Sequence, residues 1–174
     1  MPKGITMKWQ GDVLIIVRRW FSWMNLCLLL VYVPIFWLVF REIVALYMES
    51  GRFPILSILV TVLGILFAYY IICHLFNFTK ITVDSHYMSI THRPFPWPGS
   101  GTWAVCEIDQ LFCKEHTRNA SNVSSVTYEL LGIIRDKQTR LIRGIDDKEQ
   151  AQFLESELEK AMGIEDKAIA GECT

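Results

Sequence analysis

Hydrophobic and polar positions follow different periods along the chain, and the changes of period outline the molecule. From Trp20 to Phe40 the sequence WFSWMNLCLLLVYVPIFWLVF carries no formal charge. At 1.5 Å per residue it has about the length needed to cross a hydrocarbon core of roughly 30 Å. Arg18 and Arg19 close the run on one side, and Arg41 and Glu42 on the other. Trp20, Trp23 and Trp37 lie near its ends, where indole rings favour the headgroup level. Pro34 predicts a bend that a bilayer helix tolerates. The second run, Phe53 to Asn77, is also uncharged, and Pro54 suits a first helical turn. A buried core helix is usually shorter than either run, and a soluble domain rarely needs two. Arg41 to Arg52 reads as a short link, so residues 20–77 are expected to form an antiparallel transmembrane hairpin.

After Asn77 the period becomes two. Thr79 to Asp84 and Tyr87 to Thr91 alternate around Asp84-Ser85-His86, which reads as a hairpin. Arg93 to Gly101 (RPFPWPGSG) is too rich in proline and glycine for regular structure and reads as an aromatic loop. Thr102 to Cys106, Ile108 to His116, Val126 to Arg135 and Arg140 to Ile145 read as further strands, with Arg118 to Ser125 a polar loop. The period then returns to 3.6. Asp146 or Asp147 caps a helix whose apolar stripe is Ala151, Leu154, Leu158, Ala161 and Met162. Gly163 stops it, and residues 165–174 read as a tail. Residues 1–19 leave two alternatives. Ile5 to Gln10 and Asp12 to Val17 form either a hairpin that adds to the soluble domain of residues 78–164, or, for Val13 to Val17, an extension of the first helix.

Charge orients the hairpin. Lys3, Lys8, Arg18 and Arg19 precede the first helix, and Lys80 and Arg93 follow the second, whereas the link carries only Arg41 and Arg52. The positive-inside rule therefore predicts cytoplasmic termini. Composition agrees with a membrane class: 52% of residues are hydrophobic and the mean hydropathy is +0.29. A net charge of -1 gives no global basic field for nucleic acid. Cys27, Cys73, Cys106, Cys113 and Cys173 are scattered, without a Cys-x-x-Cys pair, and read as reduced thiols.

An antiparallel run of about six strands closed by one amphipathic helix is the outline of a pleckstrin-homology-like barrel. The chain resembles a group of bacterial membrane proteins, mostly of unassigned function, in which two transmembrane helices precede such a domain. The residues carrying the resemblance are Asn77 to Val83, Pro94 to Gly99, Ile108 to Cys113 and Gln150 to Asp166. The resemblance implies a membrane α-helical hairpin plus an α+β domain, an antiparallel PH-like β-barrel capped by a C-terminal helix. It also implies a multi-pass protein of the bacterial inner membrane. Phosphoinositide-binding members of the wider fold use a basic loop between their first two strands. Here that loop is Asp84-Ser85-His86, which lacks lysine and arginine, so inositol-lipid binding there is not expected.

Candidate chemistry is sparse. His74 lies beside Cys73 near the end of the second helix, and the first helix has no histidine to pair with it. Cys106, Cys113 and His116, with His86 or His92, supply zinc-type ligands. Residues three apart on a strand face opposite ways, however, so Cys113 and His116 read as a buried thiol and a solvated imidazole. Asp146, Asp147, Glu155, Glu157 and Glu159 fit a helix cap and a solvated face. No phosphate loop, nucleophile elbow or His-Glu-x-x-His occurs. The sequence thus predicts neither a cofactor nor an enzyme. Asn25, Ser57, Thr61 and Gly64 are the small or polar positions of the hairpin, packing it internally or docking a partner helix. Phe95 and Trp97 either contact the membrane interface or a protein, or fold back on the barrel. The expected role is a membrane-anchored scaffold with a membrane-protein partner or self-association. The alternative is an accessory subunit of a larger, energy-transducing membrane complex, docked through its helices.

Overall fold

Strand structure begins before the first apolar helix. In the computed structural model, which describes residues 2–50, 55–120 and 123–165, β1 (Ile5–Gln10) and β2 (Val13–Arg19) form a hairpin around Gly11. Gly11 has φ 62°, a conformation open to glycine at little steric cost. Two helices follow, α1 (Trp23–Ser50) and α2 (Ile55–Phe76). The chain then forms β3 (Phe78–Val83), β4 (Tyr87–Arg93), β5 (Gly101–Ala104), a 3-10 turn (Val105–Glu107), β6 (Ile108–Ala120), β7 (Val123–Ile134), β8 (Lys137–Ile145) and α3 (Lys148–Met162).

The described residues up to Arg19 and from Phe78 onward form one compact unit, and Trp20–Asn77 a second. In the first unit, β2 pairs directly with β3 in antiparallel register, from Leu14↔Val83 to Arg19↔Phe78. The second unit is therefore an insertion between two neighbouring strands. The N-terminal segment belongs to the sheet and does not lengthen α1.

This unit is α+β, with antiparallel sheets and a C-terminal helix, but its strands do not close into the expected barrel. They form a five-stranded sheet, β1-β2-β3-β4-β5, and a three-stranded sheet, β6-β7-β8. The division falls at Val105–Glu107, where a 3-10 turn ends the short β5 and no ladder joins β5 to β6. Both sheets and α3 nevertheless share one core, including Leu14, Ile16, Ile81, Ile90, Leu111, Leu130, Leu154 and Leu158. Asp147 caps α3 by accepting the Glu149 amide at 3.0 Å, and Gly163 ends it with φ 69°.

Several further boundaries differ from the sequence reading, among them the starts of β5 at Gly101 and of β8 at Lys137. Helix α1 starts at Trp23, not Trp20, and continues through Arg41 and Glu42 to Ser50. Nothing from Arg41 to Ser50 is proline or glycine, so charge alone does not interrupt the backbone ladder. The rest of the expected link, residues 51–54, and the expected tail from residue 166 onward lie outside the described residues. The expected polar loop from Arg118 to Ser125 is largely paired backbone, with the β6–β7 ladder running to Ala120↔Val123. Strand pairing uses backbone donors and acceptors and does not need apolar side chains at every position.

In the second unit, α1 and α2 are each long and apolar enough to cross a membrane. The Trp20 amide donates to the Asn77 carbonyl at 3.2 Å, joining its two ends.

Candidate functional site

The aromatic loop grows from a polar row on the inner face of the five-stranded sheet. Arg18 follows Leu14 and Ile16 in the alternation of β2, so its side chain points the same way as the core. Register places Arg18 opposite Thr79, and Thr79 opposite His92. Thr79 Oγ1 lies 3.1 Å from His92 Nδ1. The Arg18 Nη2 donates to the Gly144 carbonyl at 2.5 Å, and its Nε donates to Gln150 Oε1 at 3.4 Å. Gln150 Nε2 in turn donates to the Lys3 carbonyl at 2.9 Å. Arg18 is 7% exposed, and it ties β2 to the start of α3.

Burial lowers the Arg18 pKa, against a smaller raising effect of the Asp146 charge. For His92, burial comes first and the Arg18 charge second, both lowering its pKa, while a backbone bond to Gly99 opposes them. His92 is thus held between β3 and the far end of the loop that begins at Arg93. Its own amide donates to Ser100 Oγ at 3.3 Å, fastening the same closure. Within the loop Phe95 and Trp97 are half-buried, with exposed prolines between and beside them. Gly101 ends it under the Trp103 ring, where an added Cβ would lie 2.6 Å from Cη2.

The small positions of the hairpin are used inside it. Tyr32 Oη donates to the Gly64 carbonyl at 2.6 Å. A Cβ on Gly64 would lie 2.1 Å from Phe36 Cε2. Tyr32 stacks on Phe36 at 5.5 Å between centroids and meets Phe67 edge-on at 5.0 Å. The Thr61 hydroxyl donates to the Ser57 carbonyl one turn back, at 2.8 Å. His74 sits between Tyr70 and Trp20, at 4.5 and 5.6 Å between rings.

Cys113 is fully buried on the core side of β6, while His116 is exposed. Cys106 is also exposed. Among the described residues, no group of three His, Cys, Asp or Glu side chains comes together at metal-binding distance. His116 instead borders a depression of about 340 Å³ on the three-stranded sheet, with Lys114, Glu129, Gln138 and Arg140. Its charges are mixed, and Arg140 lies 3.9 Å from Glu129. Of the α3 carboxylates expected on a solvated face, Glu155 and Glu159 are instead buried, because each follows directly on a core-facing leucine, Leu154 or Leu158. Glu155 Oε2 accepts the Cys113 amide at 3.2 Å, and Glu157 pairs with Lys160 at 2.9 Å. Asp84 turns the β3–β4 hairpin by accepting the His86 and Tyr87 amides, both at 2.7 Å. Those two bonds hold its carboxyl below the usual range.

Arg18 is the residue that sequence reasoning misses. Its signal is its phase: the residue two places after Ile16, itself two after Leu14, lies on the core face once β2 is a strand. No protein-family model matches the chain, and a search of curated proteins finds none similar to it.

Proposed function

We propose that the chain is a non-enzymatic membrane-anchored scaffold of the inner face of a bacterial membrane. In this reading α1 and α2 cross the bilayer and a PH-like domain presents an interaction surface in the cytoplasm. The observation that carries it is the insertion of the apolar hairpin between the register-paired strands β2 and β3. A sheet fastened at two adjacent strands is held more closely than one on a single flexible tether. This arrangement supports a platform that presents its surface near the bilayer. The Phe95–Trp97 loop starts at Arg93, which pairs with Phe78 at the same end of the sheet. Docking through that loop is favoured over docking through Gly64 and Thr61, because both of those positions make contacts within the hairpin.

The test is copurification from native membranes in mild detergent, with partners identified by mass spectrometry. A stable partner or self-assembly lost on Trp97→Ala, but retained on Thr61→Val, is the expected result. No partner and no self-assembly would defeat the proposal. Loss through Thr61 alone would favour an accessory subunit docked by its helices.

A further inference from the structure

The outer face of the five-stranded sheet carries cations and no acid. Its membership follows from register. Val13, Ile15, Val17 and Arg19 alternate with the core-facing residues of β2. Val17 stands opposite Lys80, Arg19 opposite Phe78, and Phe78 opposite Arg93. Ile15 stands opposite Lys8 on β1. Lys8, Arg19 and Arg93 are exposed and Lys80 is half-buried, around a half-buried strip of Val13, Ile15 and Val17. Every other outward position of β1, β3, β4 and β5 is uncharged.

The acids of this unit lie elsewhere. Asp12 and Asp84 occupy turns at the end of the strands remote from Arg19 and Phe78. Asp146, Asp147 and Glu149 belong to the start of α3 on the core side, where Asp146 acts on Arg18. Arg19 immediately precedes Trp20, and its partner Phe78 immediately follows Asn77. Chain continuity thus keeps the cationic end of the face within one residue of the apolar hairpin on two strands.

We infer that this face docks on the anionic phospholipid headgroups of the bilayer that α1 and α2 cross. The inference rests on the reading of those helices as membrane spans. Basic residues next to a span are drawn to an anionic leaflet, and each is worth about a fivefold preference over a neutral surface. The aliphatic strip adds apolar contact between the charges. This site is separate from the Asp84-Ser85-His86 turn, where a phosphoinositide loop would lie.

The test uses the full chain carrying Thr82→Cys, an outward position beside Ile15. The chain is placed in nanodiscs of phosphatidylcholine alone, or with one third phosphatidylglycerol. A water-soluble maleimide labels the new thiol, and peptide mass spectrometry separates it from the native cysteines. Labelling is expected to slow about fivefold or more in the anionic discs at low salt. It should recover in about 0.5 M salt, where screening is strong. Adding Lys80→Gln and Arg93→Gln should shrink the difference between the discs at least several-fold. Equal labelling of the unaltered face in both discs overturns the inference while leaving the spans intact. So does cross-linking of this face in native membranes to an acidic protein segment in place of lipid. A chain that fails to enter the discs overturns the membrane reading and the inference together.

Discussion

The Trp20 amide and the Asn77 carbonyl meet at 3.2 Å, so everything from Phe21 to Phe76 leaves and rejoins the chain across one backbone hydrogen bond. The next rung is Arg19↔Phe78 and the one after it Arg18↔Thr79. The sheet ladder therefore begins where the insertion ends, with no linker between them. Consequences for stability follow from the side chains near this junction and from those inside the insertion.

Replacing Arg18 by methionine keeps the aliphatic stem but removes both donors. The Gly144 carbonyl then loses a charge-assisted bond and Gln150 loses a contact. The expected cost is about 2 kcal/mol, the usual range for hydrogen bonds to a charged group. Urea unfolding in detergent, followed by near-ultraviolet circular dichroism, measures it. Arg18→Lys should recover only part of the loss, because an ammonium lacks the planar fork that reaches both partners. Full recovery would mean that charge, not directed donation, is what matters there.

Acidification should weaken the sheet unit through His92. Burial first, and the Arg18 charge second, disfavour the protonated ring in the folded chain. The unfolded chain, with a histidine pKa of about 6.5, then binds more protons over the window below that value. Stability from neutral His92 is complete above about pH 6.5 and is lost as pH falls from there toward the lower folded value. Melting temperatures measured from pH 7.5 to 5 should fall, and His92→Gln should flatten that slope. Asp84 acts in a lower window, because its carboxyl is held low by the His86 and Tyr87 amides. Its contribution is present above the unfolded carboxyl pKa of about 3.9 and disappears on further acidification. An unchanged slope in His92→Gln would assign the effect to other groups.

Gly64→Ala is expected to destabilise the hairpin by about 1–3 kcal/mol, since the new methyl would overlap the Phe36 ring. Combining it with Phe36→Leu should relieve the overlap and recover part of the loss. Thermal aggregation of the detergent-solubilised chain reads both effects. Additive losses in the double variant would show that Phe36 is not the obstacle.

Asp147→Ala should cost about 1 kcal/mol by removing the acceptor for the Glu149 amide. Asp147→Asn should restore most of it. Since α3 packs Leu154 and Leu158 into the shared core, the loss should appear in the unfolding of both sheets together.

The parts of this fold that were legible in the sequence are those set by near neighbours. Two uncharged runs marked α1 and α2, alternation around Asp84 marked β3 and β4, and Asp147 with Gly163 bracketed α3. The pairing of β2 with β3 was not legible, because its rungs join residues separated by the entire insertion. Alternation in Val13–Val17 identifies a strand but not its partner, and the adjoining apolar run also allows a helix. Likewise, Arg41 and Glu42 looked like the end of a span. Helical backbone bonding passes through them, and Arg41 pairs with Glu42 at 2.8 Å on the helix surface. The strands fail to close into a barrel because of the break at Val105–Glu107, three residues with no proline or glycine to announce it. For the candidate site, the loop with Phe95 and Trp97 was visible as composition. Its anchor, the Arg18–Thr79–His92 row, needed the register of three strands.

The insertion between β2 and β3 also sets an order of events during synthesis. Strands β1 and β2 emerge before β3 and can pair with each other, but the other edge of β2 has no partner until Phe78–Val83 has been made. In a bilayer, that partner returns to the starting side only if both helices have crossed. A chain whose second helix failed to fold back would strand β3 on the wrong side and leave β2 with an open edge. If α1 and α2 cross a bilayer, completion of the five-stranded sheet is a built-in check that both have crossed.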